Sequence, residues 1–213
     1  MKYLAIDSTA TNIGIILNID GKTYVKQSSN DRKASEILLL EVDSLLNKAK
    51  ISLSDLDFFA VVTGPGSFTG IRIGVNTVKS FAYALGKKVI AVTTFEKTAY
   101  NKIGKKPTVC VIKAYADYCF TCKIAGYGVI ENNPECLTYS QAKEMITAGS
   151  YDVIADEESA KVLAKAKKEN WKKSLISAIE DKASKGEFLS YNTVEPYYML
   201  VSQAEKELEK KNK

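Results

Sequence analysis

The stretch VVTGPGSFTGIRIG, residues 61–74, places Gly64, Gly66 and Gly70 around Pro65, Ser67, Phe68 and Thr69, just ahead of an apolar run with helical spacing. A loop of this kind can cradle a phosphate, close a tight strand-to-helix turn, or seat a second protein. It is not a P-loop, since no lysine follows Gly70, and its glycines are spaced one residue too widely for the dinucleotide fingerprint. A helix opening after it still presents N–H groups and a positive dipole end to an anion, and Arg72 in the first turn could add a planar fork to a phosphate. Equally, the glycines permit positive φ and close backbone approach. On the residues alone both readings stand.

The helix that follows is predicted over residues 70–85 and stops at Gly86. Ile71, Val75, Val78, Ala82 and Leu85 recur at steps of four and three, and Ile73, Phe81 and Ala84 cover much of another face. Residues 33–50 repeat the pattern through Leu38, Val42, Leu45 and Ala49, with Leu39 and Leu46 outside the main stripe. One buried face needs an apolar arc of little more than 100°, and both helices exceed it. The excess predicts a helical interface formed by Leu38, Leu39, Val42, Leu46, Ile71, Val75, Val78, Ala82 and Leu85. The plainer alternative is two interior helices of a monomer.

Around these helices, YLAIDST, IGIILNI and KTYVKQ read as strands, with Asp20-Gly21 a hairpin turn, and DFFAVVTG and KKVIAVTTFE follow as further strands. A helix begins near Phe95. The lysine-rich stretch at 101–108, with Gly104 and Pro107, suits a domain boundary. Beyond it TVCVIKAY, YCFTCKIAGYGVIE and YDVIAD read as strands, with helices near 140–148, 157–168 and 171–182. Such an order predicts mixed sheets with helices packed against them.

The chemistry-bearing residues are few. The chain holds no histidine, which removes the imidazole base, the His-supported nucleophile and the His-ligated metal. Asp7-Ser8-Thr9, at the end of the first strand, can hold a magnesium-bound phosphate or form a turn in which Asp7 bonds its own backbone. Cys119 and Cys122 form a C-x-x-C, but in a strand positions three apart face opposite ways, and neither a second C-x-x-C nor a histidine completes a zinc site. The net charge of +5 comes almost wholly from lysine, Arg32 and Arg72 being the only arginines. Lys161, Lys165, Lys167, Lys168, Lys172 and Lys173 surround Trp171, a pattern that suits RNA contact or a lysine-covered helix with one buried Trp. No stretch approaches the ~18 apolar residues of a membrane span. The first residues also lack the pattern of a secretion signal, so a cytoplasmic location is expected.

YLAIDSTATNIGIIL, the Ser35-Glu36 pair, GPGSFTGIRIG and EPYYMLVSQAE together resemble the TsaB (YeaZ) family. The resemblance spans nearly the whole chain and is most specific over residues 1–100. Ala34 stands where members often have His, and Tyr198-Met199-Leu200 where the ending frequently reads YLR. The resemblance implies an α/β, two-lobed actin-like ATPase fold (ASKHA, RNase H-like), with mixed sheets flanked by helices. An N-terminal lobe would cover residues 1–103 with the glycine motif and the partner-binding helices, and a smaller, more variable lobe 104–213 with the charged tail. It further implies a non-catalytic subunit needed to form the threonylcarbamoyl group on adenosine 37 of tRNAs reading codons that begin with adenine. Such a subunit binds and activates the TsaD transferase, a paralogue, together with the TsaE ATPase. It reaches tRNA through the complex and has a homodimer as its other pairing. No metal, membrane or cofactor of its own is implied, and whether ATP or ADP sits at the TsaD junction is left open. Two alternatives remain from the residues: a self-sufficient nucleotide-dependent enzyme using Asp7, Ser8, Gly66, Ser67 and Arg72, or a homodimeric tRNA-binding module using the 161–173 lysines.

Overall fold

The computed structural model describes residues 1–28, 34–101, 106–131 and 133–199. Arg32, the middle of the lysine-rich stretch, the Ala34 side chain and the charged ending from residue 200 lie outside the described residues.

Three antiparallel strands open the chain: β1 (Lys2–Asp7), β2 (Gly14–Ile19) and β3 (Lys22–Gln27). Helix α1 (Ala34–Ala49) then leads to β4 (Phe58–Val62), and α2 (Phe68–Leu85) leads to β5 (Lys88–Val92). Both strands add in parallel, giving the order β3-β2-β1-β4-β5. Every residue of β4 is buried, as expected for a parallel strand covered on both faces. Alternation sorts the side chains. Leu4, Ile6, Phe59, Val61 and Val89 point to the face covered by α1 and α2. Tyr3, Ala5, Phe58, Ala60 and Ile90 point to the other, covered by Leu175, Ala178 and Ile179 of α6 (Trp171–Ser184).

The second sheet repeats the plan. β6 (Thr108–Lys113) pairs antiparallel with β7 (Tyr118–Gly126), which also carries β8 (Val129–Ile130) and β9 (Glu135–Thr138). Helix α4 (Tyr139–Ala148) precedes β10 (Asp152–Ala155), and α5 (Glu157–Val162) precedes β11 (Lys167–Lys168). These two strands add in parallel on the far side of β6. In both sheets the first strand is central, with an antiparallel neighbour on one side and a strand reached through a helix on the other. The chain passes outward between the sheets through α3 (Thr94–Ala99) and back through residues 169–171 into α6, and after Val194 it runs along the cleft again to Met199, which packs against the second sheet's core. Residues 171–194 thus pack on the N-terminal sheet, Val194 in its core, although they follow the expected boundary at 103.

Several local expectations are corrected. The helix expected over 157–168 ends at Val162, and Lys165 takes φ +66°. Edge pairing of Lys167 and Lys168 with Ile154 and Ala155 claims the remainder as a strand. The strand expected over 118–131 splits at Tyr127 and Gly128, the glycine adopting φ +74°. β5 ends at Val92 because Thr93 caps α3: its hydroxyl accepts from Glu96 N while Glu96 reaches back to Thr93 N. Among the described residues no helix is long and apolar enough to cross a membrane.

Candidate functional site

A cleft of about 530 Å³ lies between the two sheets, bounded by the β1–β2 turn, the glycine loop, α3 and the ends of β6 and β10. At its base sits Asp7, buried, with two donors on each carboxylate oxygen. Thr9 N (3.1 Å) and Thr9 Oγ1 (2.6 Å) bond Oδ1, while Lys97 Nζ (2.8 Å) and Trp171 Nε1 (2.7 Å) bond Oδ2. Lys97, equally buried, also pairs with Glu169 at 3.3 Å, and Glu169 accepts from Ser174 Oγ at 3.1 Å. Burial would raise the Asp7 carboxyl, but the Lys97 charge and the bonds from Lys97 and Thr9 outweigh it and hold it below the usual carboxylate range. Burial would likewise lower the Lys97 ammonium, but Asp7 and Glu169 hold it well above its ordinary value.

Asp7-Ser8-Thr9 forms the turn in which Asp7 bonds its own backbone, Thr9 N donating to Asp7 Oδ1. A carboxylate offers about four lone-pair directions, and those of Asp7 carry four donors. Ser8 Oγ donates to the Gly70 carbonyl at 2.7 Å. In the glycine loop, Ser67 N donates to Thr9 O at 2.7 Å and Ser67 Oγ caps α2 by accepting from Gly70 N at 3.2 Å. Arg72 is turned outward, its Nε on the Tyr198 hydroxyl at 2.8 Å and its guanidinium 4.0 Å above the Phe68 ring. Across the cleft stand Asp156, Glu157 and Glu158 together with Lys113 and Lys168, and both Asp156 oxygens are taken, Oδ1 by Ser159 N at 2.8 Å and Oδ2 by Lys113 N at 3.0 Å. Asp7 has no lone-pair direction left over for a metal ion while Lys97 and Trp171 hold it.

The glycines serve packing instead. A Cβ at Gly66 would overlap the Thr9 carbonyl, one at Gly70 the Ser8 carbonyl, and one at Gly74 the Ser8 hydroxyl. The signature is the footprint of the β1–β2 turn on the first turns of α2.

The predicted interface residues divide unequally. Leu38, Val42, Leu46, Ile71, Val75, Val78 and Ala82 lie in the molecule's own core, and Leu85 is half-buried against it. The reason is geometric: the strongest apolar stripe on each helix is the one the sheet claims. Of the nine, Leu39 alone is exposed, at 55%, beside Leu40 at 64%. Glu41 pairs with Lys26 on β3, so the flank of α1 carrying Leu39 turns the other way. The outer face of α2 carries Thr69, Asn76, Ser80 and Ala84, with Ile73 half-buried beside them and Tyr83 68% exposed.

Trp171 faces inward against Gly14 and Asp7, while Lys161, Lys165, Lys167, Lys168, Lys172 and Lys173 are exposed. Cys119 and Cys122 point to opposite faces of β7 and sit in different core clusters. Among the described residues no group of three or more His, Cys, Asp or Glu could hold a metal ion. Sequence reasoning missed Lys97 and Glu169. Both are ordinary charges in charged stretches, and nothing local tells that the fold buries them opposite Asp7.

A family model described as TsaD: tRNA N6-adenosine threonylcarbamoyltransferase matches residues 27–170. The tRNA threonylcarbamoyladenosine biosynthesis protein TsaB of Bacillus subtilis is 36% identical over 107 residues, covering 47% of this chain and 44% of that protein. Its counterpart in Escherichia coli is 30% identical over 114 residues, 54% of this chain and 49% of that protein. A tRNA N6-adenosine threonylcarbamoyltransferase of Protochlamydia amoebophila is 36% identical over 76 residues, 36% of this chain and 22% of that protein. The matched stretch thus spans about half the length of the TsaB relatives and less of the transferase. Among solved structures, YeaZ from Pseudomonas aeruginosa superposes with a TM-score of 0.75 at 22% identity, over 93% of this chain and 99% of that one. That likeness speaks for the fold, two mixed sheets flanked by helices, and the family match adds the actin-like class.

Proposed function

The chain belongs to the family described by the TsaD model, in its TsaB (YeaZ) group, and from that premise we propose that it is a non-catalytic subunit in threonylcarbamoyladenosine formation on tRNA. In this reading it acts in the cytoplasm, binding and activating a TsaD-type transferase alongside the TsaE ATPase. Transfer chemistry and metal ligation belong to the partner, and tRNA is met through the complex. A chain without histidine is suited to such a role. Any ATP or ADP belongs at the junction with the transferase rather than in this chain's own cleft.

One observation carries the reading. Leu39 and Leu40 are adjacent, large and exposed on α1, and the outer face of α2 carries the small or neutral Thr69, Asn76, Ser80 and Ala84 beside exposed Arg72 and Tyr83. Small side chains let a second helix approach closely, and exposed leucines supply the area to bury. A homodimer through the same face is the competing occupant.

The test is co-purification of the chain with its TsaD-type partner and TsaE, followed by assay of modified adenosine with and without the chain. Loss of both partner capture and modification in a folded Leu39→Glu, Leu40→Glu variant is expected. Normal capture and activity in that variant would overturn the assignment of this face.

A further inference from the structure

We infer that Lys97 is a built-in counter-cation that fastens the α3 crossing and the return crossing at residues 169–171 to the end of β1, so that the chain itself sets the opening of the cleft. Three separate segments meet at this point. Asp7 closes β1 of the first sheet. Lys97 lies on α3, whose Phe95 and Ala99 pack with Cys110, Ile112 and Phe120 of the second sheet. Glu169 and Trp171 stand on the return connection from β11 to α6. Lys97 Nζ holds Asp7 at 2.8 Å and Glu169 at 3.3 Å, and Trp171 Nε1 closes the circuit onto Asp7 at 2.7 Å.

Further contacts tie the two crossings directly. Asn170 N donates to Asn101 Oδ1 at 2.8 Å, just beyond α3. The Trp171 ring covers Gly14 so closely that a Cβ there would overlap it. A two-lobed molecule hinges where its chain passes between lobes, and here the passages through α3 and through residues 169–171 share one buried ion network. A ligand that closed such a cleft by bringing a cation to Asp7 would have to displace Lys97 from a carboxylate whose lone-pair directions are all taken. The inference does not depend on the proposed partner, because it concerns the lone chain.

The experiment places spin labels at Lys22→Cys on β3 and Glu144→Cys on α4, with Cys136→Ser leaving only buried thiols, and reads the distance distribution in the full chain. One narrow distribution is expected, unchanged by millimolar magnesium-ATP. Adding Lys97→Met should broaden or shift it, and raise amide exchange at α3 and residues 169–171 by tenfold or more. If Lys97→Met does not yield folded protein, Trp171→Phe, which removes only the indole donor, is measured in its place, with broadening again expected. An unchanged distribution and unchanged exchange in the folded variant would overturn the inference. So would a closure of the wild-type distance on adding magnesium-ATP.

Discussion

Ser8 and Gly70 touch across 62 residues of sequence: the Ser8 hydroxyl donates to the Gly70 carbonyl at 2.7 Å, and a Cβ on Gly70 would overlap the Ser8 carbonyl oxygen. Backbone meets backbone there, so no rotamer change relieves an added methyl. Gly70→Ala should therefore lose about 3 kcal/mol, the upper end of overpacking costs. Gly86 differs on both counts: it has φ +62°, whereas Gly70 is helical, and nothing lies within 4 Å of its Cβ position. Gly86→Ala should lose only about 1 kcal/mol, the left-handed conformational penalty. Urea unfolding of the two variants, read as the difference in ΔG at equal m-value, checks the order.

Fold and docking separate on the same pair of helices. Val78 is fully buried against the sheet, so Val78→Glu should destabilise the monomer by several kcal/mol and reduce folded yield. Leu40 is 64% exposed, and Leu40→Glu should leave the melting temperature within about 2 °C of wild type. Thermal melts of both variants, followed by pull-down with a TsaD-type partner, distinguish the roles. Loss of capture is expected for folded Leu40→Glu.

The buried network should leave its mark on the pH dependence of stability. Asp7 is held below its ordinary value, so its contribution is complete above the unfolded carboxylate range and is lost as pH falls through the folded value. Lys97 is held above its ordinary value, so its contribution is complete below the unfolded lysine range and is lost only as pH rises through the still higher folded value. Asp7→Asn should thus cost about 3–5 kcal/mol across roughly pH 5–9, as for other broken buried pairs. The gap to wild type should shrink below about pH 4. A gap that stays constant from pH 3 to 8 would mean that packing rather than charge sets the loss.

The thiols give a separate chemical check. Burial pushes the Cys122 thiol up to about 11 and Cys119 up to about 12, and it raises Cys110 well above the ordinary range. Cys136 is only half-buried. With Ellman's reagent at pH 8 the folded protein should show one fast-reacting thiol, lost in Cys136→Ser, and all four should react in urea. Rapid labelling of three or more in the native state would contradict the burial of β6 and β7.

What the sequence determined by itself was local and periodic. Alternation and helical spacing placed β1 to β4, α1 and α2, because a side chain's exposure to one face repeats with the backbone's own period. The glycine signature and its neighbours pointed to the family, and the family match and solved-structure likeness bear out that identification and the two-sheet fold. The tertiary structure decided what each apolar face was for. Val75 and Val78 belong to the sheet and Leu39 and Leu40 to the outside, a distinction that the width of an apolar arc does not contain. It also decided the cleft, since Asp7, Lys97, Glu169 and Trp171 acquire their meaning only when segments 72 to 164 residues apart (169 − 97 and 171 − 7) are brought within 3.3 Å. A charge in a sequence window is solvated by default, and only a fold that removes the water makes its partner necessary.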